Sequence, residues 1–242
     1  MIIDPPPASN SHPSPRPRLA TGPSAPTLGL LRAGDTVLFI GDSITSAFRR
    51  PEEQNNAFQL GGGYVLIACS RLLATRPEFD FQFINKGISG ERISHIAERW
   101  RRDCLDLAPD VVNVLIGVNS TTSKFRDTEP APDADIAHFI RVYGTILDQL
   151  RGTLPQSRLV IGEPFLLPCG FGKPDLVDDV RERSAAIRTL AEARGACFVP
   201  YQGAFDVAMR RAPAEHWAYD GIHPTAAGMW IMAETWLKHV VG

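Results

Sequence analysis

Val37-Leu38-Phe39-Ile40-Gly41-Asp42-Ser43-Ile44-Thr45 is the stretch that decides the fold. Its first four residues are apolar, with β-branched and aromatic side chains among them, the composition of a buried strand. The strand stops at Gly41, and a carboxylate and a hydroxyl follow where the chain must leave the sheet. In open α/β sheets ligands bind at that carboxyl end, which makes Ser43 a candidate nucleophile. Gly-Asp-Ser is also ordinary turn chemistry, so the assignment depends on what the chain places beside it.

Outward from this strand, apolar runs predict further strands over residues 79–84, 111–116, 159–162 and 197–199. Helical spacing predicts helices over 64–74, from Glu91 onward (Ile93, Ile96, Ala97, Trp100, Cys104, Leu107), over 136–150, 177–194 and 225–239. Polar stretches at 46–63, 121–133 and 163–175 read as loops. Strands that are apolar on both faces and alternate with helices call for a parallel sheet covered on both sides. The expected fold is therefore α/β, a three-layer α/β/α sandwich on a five-stranded sheet of flavodoxin-like order, with a crevice where that order reverses.

The 242 residues suffice for one domain with a sizeable core, and no internal repeat divides them. Residues 1–27, crowded with Pro, Ser and Ala, read as a flexible or polyproline-like lead, and 28–242 as the folded domain. Formal net charge is -2, with Arg, Asp and Glu interspersed, so no nucleic-acid footprint and no attraction to an acidic membrane is expected. No apolar run is long enough to span a bilayer, and the start lacks the basic and apolar regions of a secretory signal. A cytoplasmic protein is the expectation. Cys69, Cys104, Cys169 and Cys197 are widely spaced with no His cluster nearby, which disfavours zinc or redox chemistry; neither metal nor cofactor is expected.

In a parallel sheet the turns after the first three strands open on one edge, and they carry Ser43, Gly87 and Asn119. Acyl transfer needs this combination: a hydroxyl to attack, and donors aimed at the oxygen that becomes negative. The Ser43 and Gly87 N–H groups and the Asn119 amide suit an oxyanion hole. Plain turns and a helix cap would use the same residues. Of the six histidines, His223 lies in a turn just before a helix and three residues after Asp220. It is the candidate base, with Asp220 as its orienting partner and His216 as a weaker substitute. The alternative is again a turn and a cap. Gly-x-Ser-x-Gly, the P-loop and Gly-x-Gly-x-x-Gly are all absent.

Gly41-Asp42-Ser43, Asn85-x-Gly87-x-x-Gly90, Gly117-x-Asn119 and Asp220-x-x-His223 follow the order and approximate spacing of the SGNH (GDSL-type) esterase family, which the chain resembles from about Gly34 to its end. Residues 38–45, Gly63-Tyr64-Val65, residues 85–90 and Glu98-Arg99-Trp100 are similar to the xylo-oligosaccharide acetylesterase branch. The resemblance implies a hydrolase that removes small acyl groups, typically acetyl, from sugar hydroxyls without a cofactor. It implies Ser43 as nucleophile, His223 as base, Asp220 as its partner, and Ser43, Gly87 and Asn119 as the oxyanion hole. Family members commonly carry Asn-Asp where this chain has Asn119-Ser120, which bears on how Asn119 is placed. Phe165, Trp217 and Tyr219 are candidates to line a sugar pocket, with core packing as the competing use of such rings. An acetylated oligosaccharide is the expected partner, and assembly with further copies of the chain is a family-level expectation. Two other functions use the same fold: a lysophospholipase or thioesterase, which needs a long apolar groove, and a catalytically silent carbohydrate-binding relative.

Overall fold

The structure, a computed structural model, describes residues 26–52 and 57–242, with the side chains of Phe125 and Arg126 excepted. The proposed lead therefore lies almost wholly outside the described residues. A short antiparallel hairpin, β1 (Thr27–Leu28) and β2 (Leu31–Arg32), is the first element among the described residues and pairs Thr27 with Arg32. Thr27 thus belongs to the hairpin, not to the lead.

The chain continues through β3 (Thr36–Gly41), α1 (Ser43–Ser46), α2 (Tyr64–Thr75), β4 (Gln82–Asn85) and α3 (Ile93–Asp103). Next come β5 (Val111–Leu115), α4 (Val118–Arg126), α5 (Ile136–Thr153), β6 (Arg158–Gly162) and α6 (Pro174–Glu192). It closes with β7 (Cys197–Val199), α7 (Tyr201–Ala208), α8 (Ala214–Trp217) and α9 (Ala226–Val240). Strands β3 to β7 form one parallel sheet in the order β4-β3-β5-β6-β7, the flavodoxin-like arrangement. The chain leaves β3 for one side of the sheet and returns past it to β5, so a crevice opens between the carboxyl ends of those two strands.

Alternation along the strands builds two cores. Val37 and Phe39 of β3 join Val111 and Leu115 of β5 beneath α2 and α9, whereas Leu38 and Ile40 join Val112 and Val114 beneath α3 and α5. One polar residue interrupts the first core. Asn113 is fully enclosed, and its Oδ1 accepts the indole N–H of Trp236 at 3.1 Å, so its burial does not leave the acceptor empty. Cys69 and Cys104 pack in the two cores as small hydrophobes.

Three local readings of the sequence need correction. The strand expected at 79–84 is confined to Gln82–Asn85, because Pro77 starts a 3₁₀ turn that runs through Phe79. The loop expected at 121–133 begins as α4. Its Ser and Thr residues are weak helix formers, but carboxylate partners hold them: Thr121 Oγ1 donates to the buried Asp179 at 2.6 Å and Ser123 Oγ to the half-buried Asp127 at 2.7 Å. The stretch between β7 and His223, to which no element was assigned, contains α7 and α8. Among the described residues no helix is long and apolar enough to cross a membrane.

Candidate active site

Ser43 is the first residue of α1, directly after the end of β3. The helix starts there because Asp42 caps it, its Oδ1 accepting the Ile44 N–H at 3.0 Å. Only glycine fits before this turn, since a Cβ on Gly41 would lie 2.3 Å from the Leu115 carbonyl oxygen on the neighbouring strand. The Ser43 hydroxyl is thereby held at the mouth of the crevice.

His223 arrives from the other end of the chain. Asp220 organises its turn, with Oδ1 accepting the N–H groups of Ile222 (3.0 Å) and His223 (2.7 Å). Between them Gly221 adopts φ +87°, and a Cβ there would meet the Cys169 carbonyl oxygen at 2.4 Å. The turn thus closes against the loop after β6, which also donates Leu167 N–H to Gly221 O and Phe171 N–H to Asp220 O. His223 Nε2 lies 2.9 Å from Ser43 Oγ, and His223 Nδ1 lies 2.7 Å from Asp220 Oδ2.

A carboxylate only accepts, so Nδ1 of the imidazole donates to Asp220 and Nε2 of the neutral ring accepts from the serine hydroxyl. Burial by itself pushes the Asp220 carboxyl up. The backbone N–H of His223, the His223 ring and the Ile222 N–H outweigh it and hold the group below the ordinary carboxylate range. Asp220 therefore stays ionised beside the imidazole. Asp42 behaves in the opposite way: complete burial pushes its carboxyl up to about 7, against the smaller lowering by the Ile44 N–H and by His223.

The candidate oxyanion donors are near one another but not equally free. The Ser43 N–H sits in the first turn of α1, where no intrahelical acceptor exists. Asn119 Nδ2 donates one hydrogen to the Glu91 carbonyl at 3.0 Å, and its other contact is Asp42 Oδ2 at 3.5 Å, the outer limit of a hydrogen bond. That second hydrogen has little to lose by turning to a substrate oxygen. The Gly87 N–H already donates to Asn85 Oδ1 at 2.8 Å, so it reaches an oxyanion only as a shared, three-centre bond. Asn85 is itself fixed by Nδ2 bonds to Thr45 O (2.7 Å) and Leu60 O (2.9 Å). A Cβ on Gly87 would lie 2.3 Å from the Ser46 nitrogen, so glycine lets this loop touch the nucleophile helix.

The aromatic candidates separate clearly. Phe165 is fully enclosed, its ring 4.6 Å from that of Phe205, and belongs to the core. Trp217 is 7 % exposed and its indole N–H donates to Ala212 O, so it too is packing. Tyr219 is 62 % exposed and stacks on the His223 ring at 5.9 Å and 18°. His216 packs edge-on against Trp217, leaving His223 as the histidine that meets Ser43. Ser120 Oγ is fully buried and has no hydrogen-bond partner among the described residues. Sequence reasoning had no role for the clamp on Gly87 by Arg49, whose Nε donates to its carbonyl oxygen at 2.6 Å. No pattern in the sequence joins those two residues.

A polar cleft of about 520 Å³, lined by residues such as Ile88, Gly90, Glu91, His95 and Glu98, opens on the same loop as Gly87. A larger one of about 720 Å³ between α2, α7 and α9 is lined by none of the candidate site residues. Among the described residues no group of three or more His, Cys, Asp and Glu side chains is placed to hold a metal ion.

The GDSL-like lipase/acylhydrolase family profile matches residues 39–231. An acetylxylan esterase of Geobacillus stearothermophilus is 28% identical over 218 residues, which cover 86% of this chain and 94% of that protein. Its solved structure superimposes with a TM-score of 0.79 at 26% identity, covering 88% of this chain and 95% of that one. Catalytic mutants of that esterase replace by alanine a serine, an aspartate, and the histidine three residues beyond the aspartate. A candidate GDSL-like lipase of Parabacteroides merdae ATCC 43184 gives a TM-score of 0.79 at 32% identity, over 89% of this chain and 99% of that one.

Proposed function

The chain belongs to the GDSL-like lipase/acylhydrolase family and is a carboxylic ester hydrolase, and from that premise we propose that it removes acetyl groups from carbohydrate hydroxyls with Ser43 as nucleophile. The observation that carries the proposal is the continuous contact Ser43 Oγ–His223 Nε2–Nδ1–Asp220 Oδ2, at 2.9 and 2.7 Å. The likeness to an acetylxylan esterase over most of both chains supports acetylated sugar as the substrate class.

In the first half-reaction His223 Nε2 takes the Ser43 proton as Oγ bonds to the acetyl carbonyl carbon. The carbonyl oxygen becomes negative and is met by the Ser43 N–H and the Nδ2 hydrogen of Asn119 that turns from its long contact with Asp42, with Gly87 N–H sharing its bond to Asn85. Asp220 stabilises the imidazolium without taking its proton. The bond to the sugar oxygen then breaks, and His223 gives that oxygen the proton, leaving acetyl on Ser43. In the second half His223 Nε2 takes a proton from water as the water oxygen bonds to the acetyl carbonyl carbon; the bond to Ser43 Oγ then breaks, the proton returns to Oγ, and acetic acid leaves to ionise in solution. Tyr219, exposed beside His223, presents an aromatic face where the departing sugar must pass.

The test is initial hydrolysis rates on p-nitrophenyl acetate, butyrate and octanoate and on acetylated xylo-oligosaccharides, for the parent and for Ser43→Ala. Rates that fall with acyl length and vanish in the variant support the reading. A preference for octanoate indicates a lipid or thioester hydrolase, and a rate unaffected by Ser43→Ala refutes the assignment of the nucleophile.

A further inference from the structure

α1 ends in an unusual way. Ala47 and Phe48 both adopt left-handed backbone, at φ 41° and 59°, a conformation that residues with a β-carbon seldom take. Burial does not compensate Phe48, a residue that is 95 % exposed. What the reversal accomplishes is placement of the next residue. Arg49 turns back over α1, its N–H bonding to Ser46 O at 2.8 Å, and its Nε reaches the Gly87 carbonyl oxygen at 2.6 Å. Non-glycine residues in such backbone persist where the surrounding structure over-determines them, and they gather at functional sites.

Gly87 is thereby gripped on three sides. Asn85 Oδ1 holds its N–H, Arg49 holds its C=O, and the Ser46 backbone abuts its Cα. A glycine has more conformational freedom than any other residue, and the carbonyl grip is a charge-assisted bond from a half-buried guanidinium. Among the described residues the bond to Gly87 is the one hydrogen bond that the Arg49 guanidinium makes.

We propose that Arg49 is a positioning residue for the oxyanion site, holding the Gly87 peptide against the nucleophile helix so that its N–H, bonded to Asn85, stays within reach of the reacting carbonyl as a shared donor. The proposal rests on Ser43 acting as nucleophile. Among the described residues Arg49 makes no hydrogen bond or ion pair to Ser43 or His223; it acts through Gly87. Its removal therefore weakens an interaction made in the transition state, which lowers kcat and leaves KM nearly constant.

The experiment compares the parent with Arg49→Met, which keeps the apolar stem, and Arg49→Lys, which keeps a cationic donor. On p-nitrophenyl acetate, Arg49→Met is expected to lose about 10- to 100-fold in kcat, less than deletion of an oxyanion donor, with KM within about twofold. Arg49→Lys recovers part of the loss, and so does added ethylguanidinium with Arg49→Ala. Amide hydrogen exchange supplies a readout independent of turnover: the Gly87 and Ile88 N–H groups exchange faster in Arg49→Met while those of β5 keep their protection. Unchanged kcat, or unchanged exchange at Gly87 and Ile88, overturns the proposal. A defect confined to KM for acetylated xylo-oligosaccharides overturns it as well, and makes Arg49 a substrate contact. A parent without Ser43-dependent hydrolysis refutes the esterase reading instead, and the exchange measurement still decides whether Arg49 holds Gly87.

Discussion

Gly87→Ala tests the site through sterics alone. The added Cβ would stand 2.3 Å from the Ser46 nitrogen, 2.8 Å from Ser46 Cα and 2.8 Å from the Thr45 carbonyl carbon. Ordinary contact begins near 3.4 Å, so the two backbones must separate by about 1 Å. None of the three atoms is the end of a flexible side chain; all belong to the main chain just after Ser43. Either α1 moves, and the 2.9 Å Ser43–His223 contact opens, or the loop moves and takes the Gly87 N–H with it. A displacement of about 1 Å costs on the order of 10² in rate, and loss of one oxyanion donor about 10²–10³. Both routes predict a fall of about 10²–10³ in kcat. Overpacking of this kind destabilises by about 1–3 kcal/mol, or roughly 2–12 °C in a chain of this size. Steady-state hydrolysis of p-nitrophenyl acetate, with organophosphate titration to count folded sites and a thermal melt, measures all three. A variant within about threefold of the parent, melting at the same temperature, would show that the space beneath Gly87 is open and refute the reasoning.

Other perturbations probe the remaining parts of the site. Asp220→Asn turns an amide donor toward His223 Nδ1, favouring the tautomer with its proton on Nε2, so kcat should drop about 10⁴-fold with the fold intact; a loss below tenfold would remove Asp220 from the mechanism. Asp42, with its carboxyl raised from an ordinary 3.8 to about 7, holds a proton in the folded state that the unfolded chain has released, so its contribution to stability is present below pH 4 and is lost as pH rises through 7. At 1.36 kcal/mol per pH unit this comes to about 4 kcal/mol, and urea titrations from pH 4 to 8 should show the parent losing stability relative to Asp42→Asn; parallel profiles would contradict it. Ser120→Ala removes a buried hydroxyl that has no partner among the described residues, so stability should hold or rise by up to about 1 kcal/mol and kcat should stay within about twofold. A large loss of activity would show that Ser120 has a role in placing Asn119.

The sequence by itself determined the parallel α/β fold, because apolar runs of strand length and helical periodicity are local properties that burial on both faces of a sheet demands. It also singled out Ser43, Gly87, Asn119, Asp220 and His223, since each sits in a turn beside a strand or helix end. Tertiary structure alone decided how they meet. Ser43 and His223 are separated by 180 positions, and only the closure of the Asp220 turn on the loop after β6 brings them to 2.9 Å. It also decided which donors are free, by committing Gly87 N–H to Asn85 and one Asn119 hydrogen to Glu91. Aromatic identity did not separate Phe165 and Trp217, enclosed in the core, from Tyr219, open beside His223. The α4 helix and the Arg49–Gly87 contact were equally invisible, for one reason. Weak local propensity in the first and an unremarkable arginine in the second acquire meaning only from partners distant in the chain, Asp179 for Thr121 and Gly87 for Arg49.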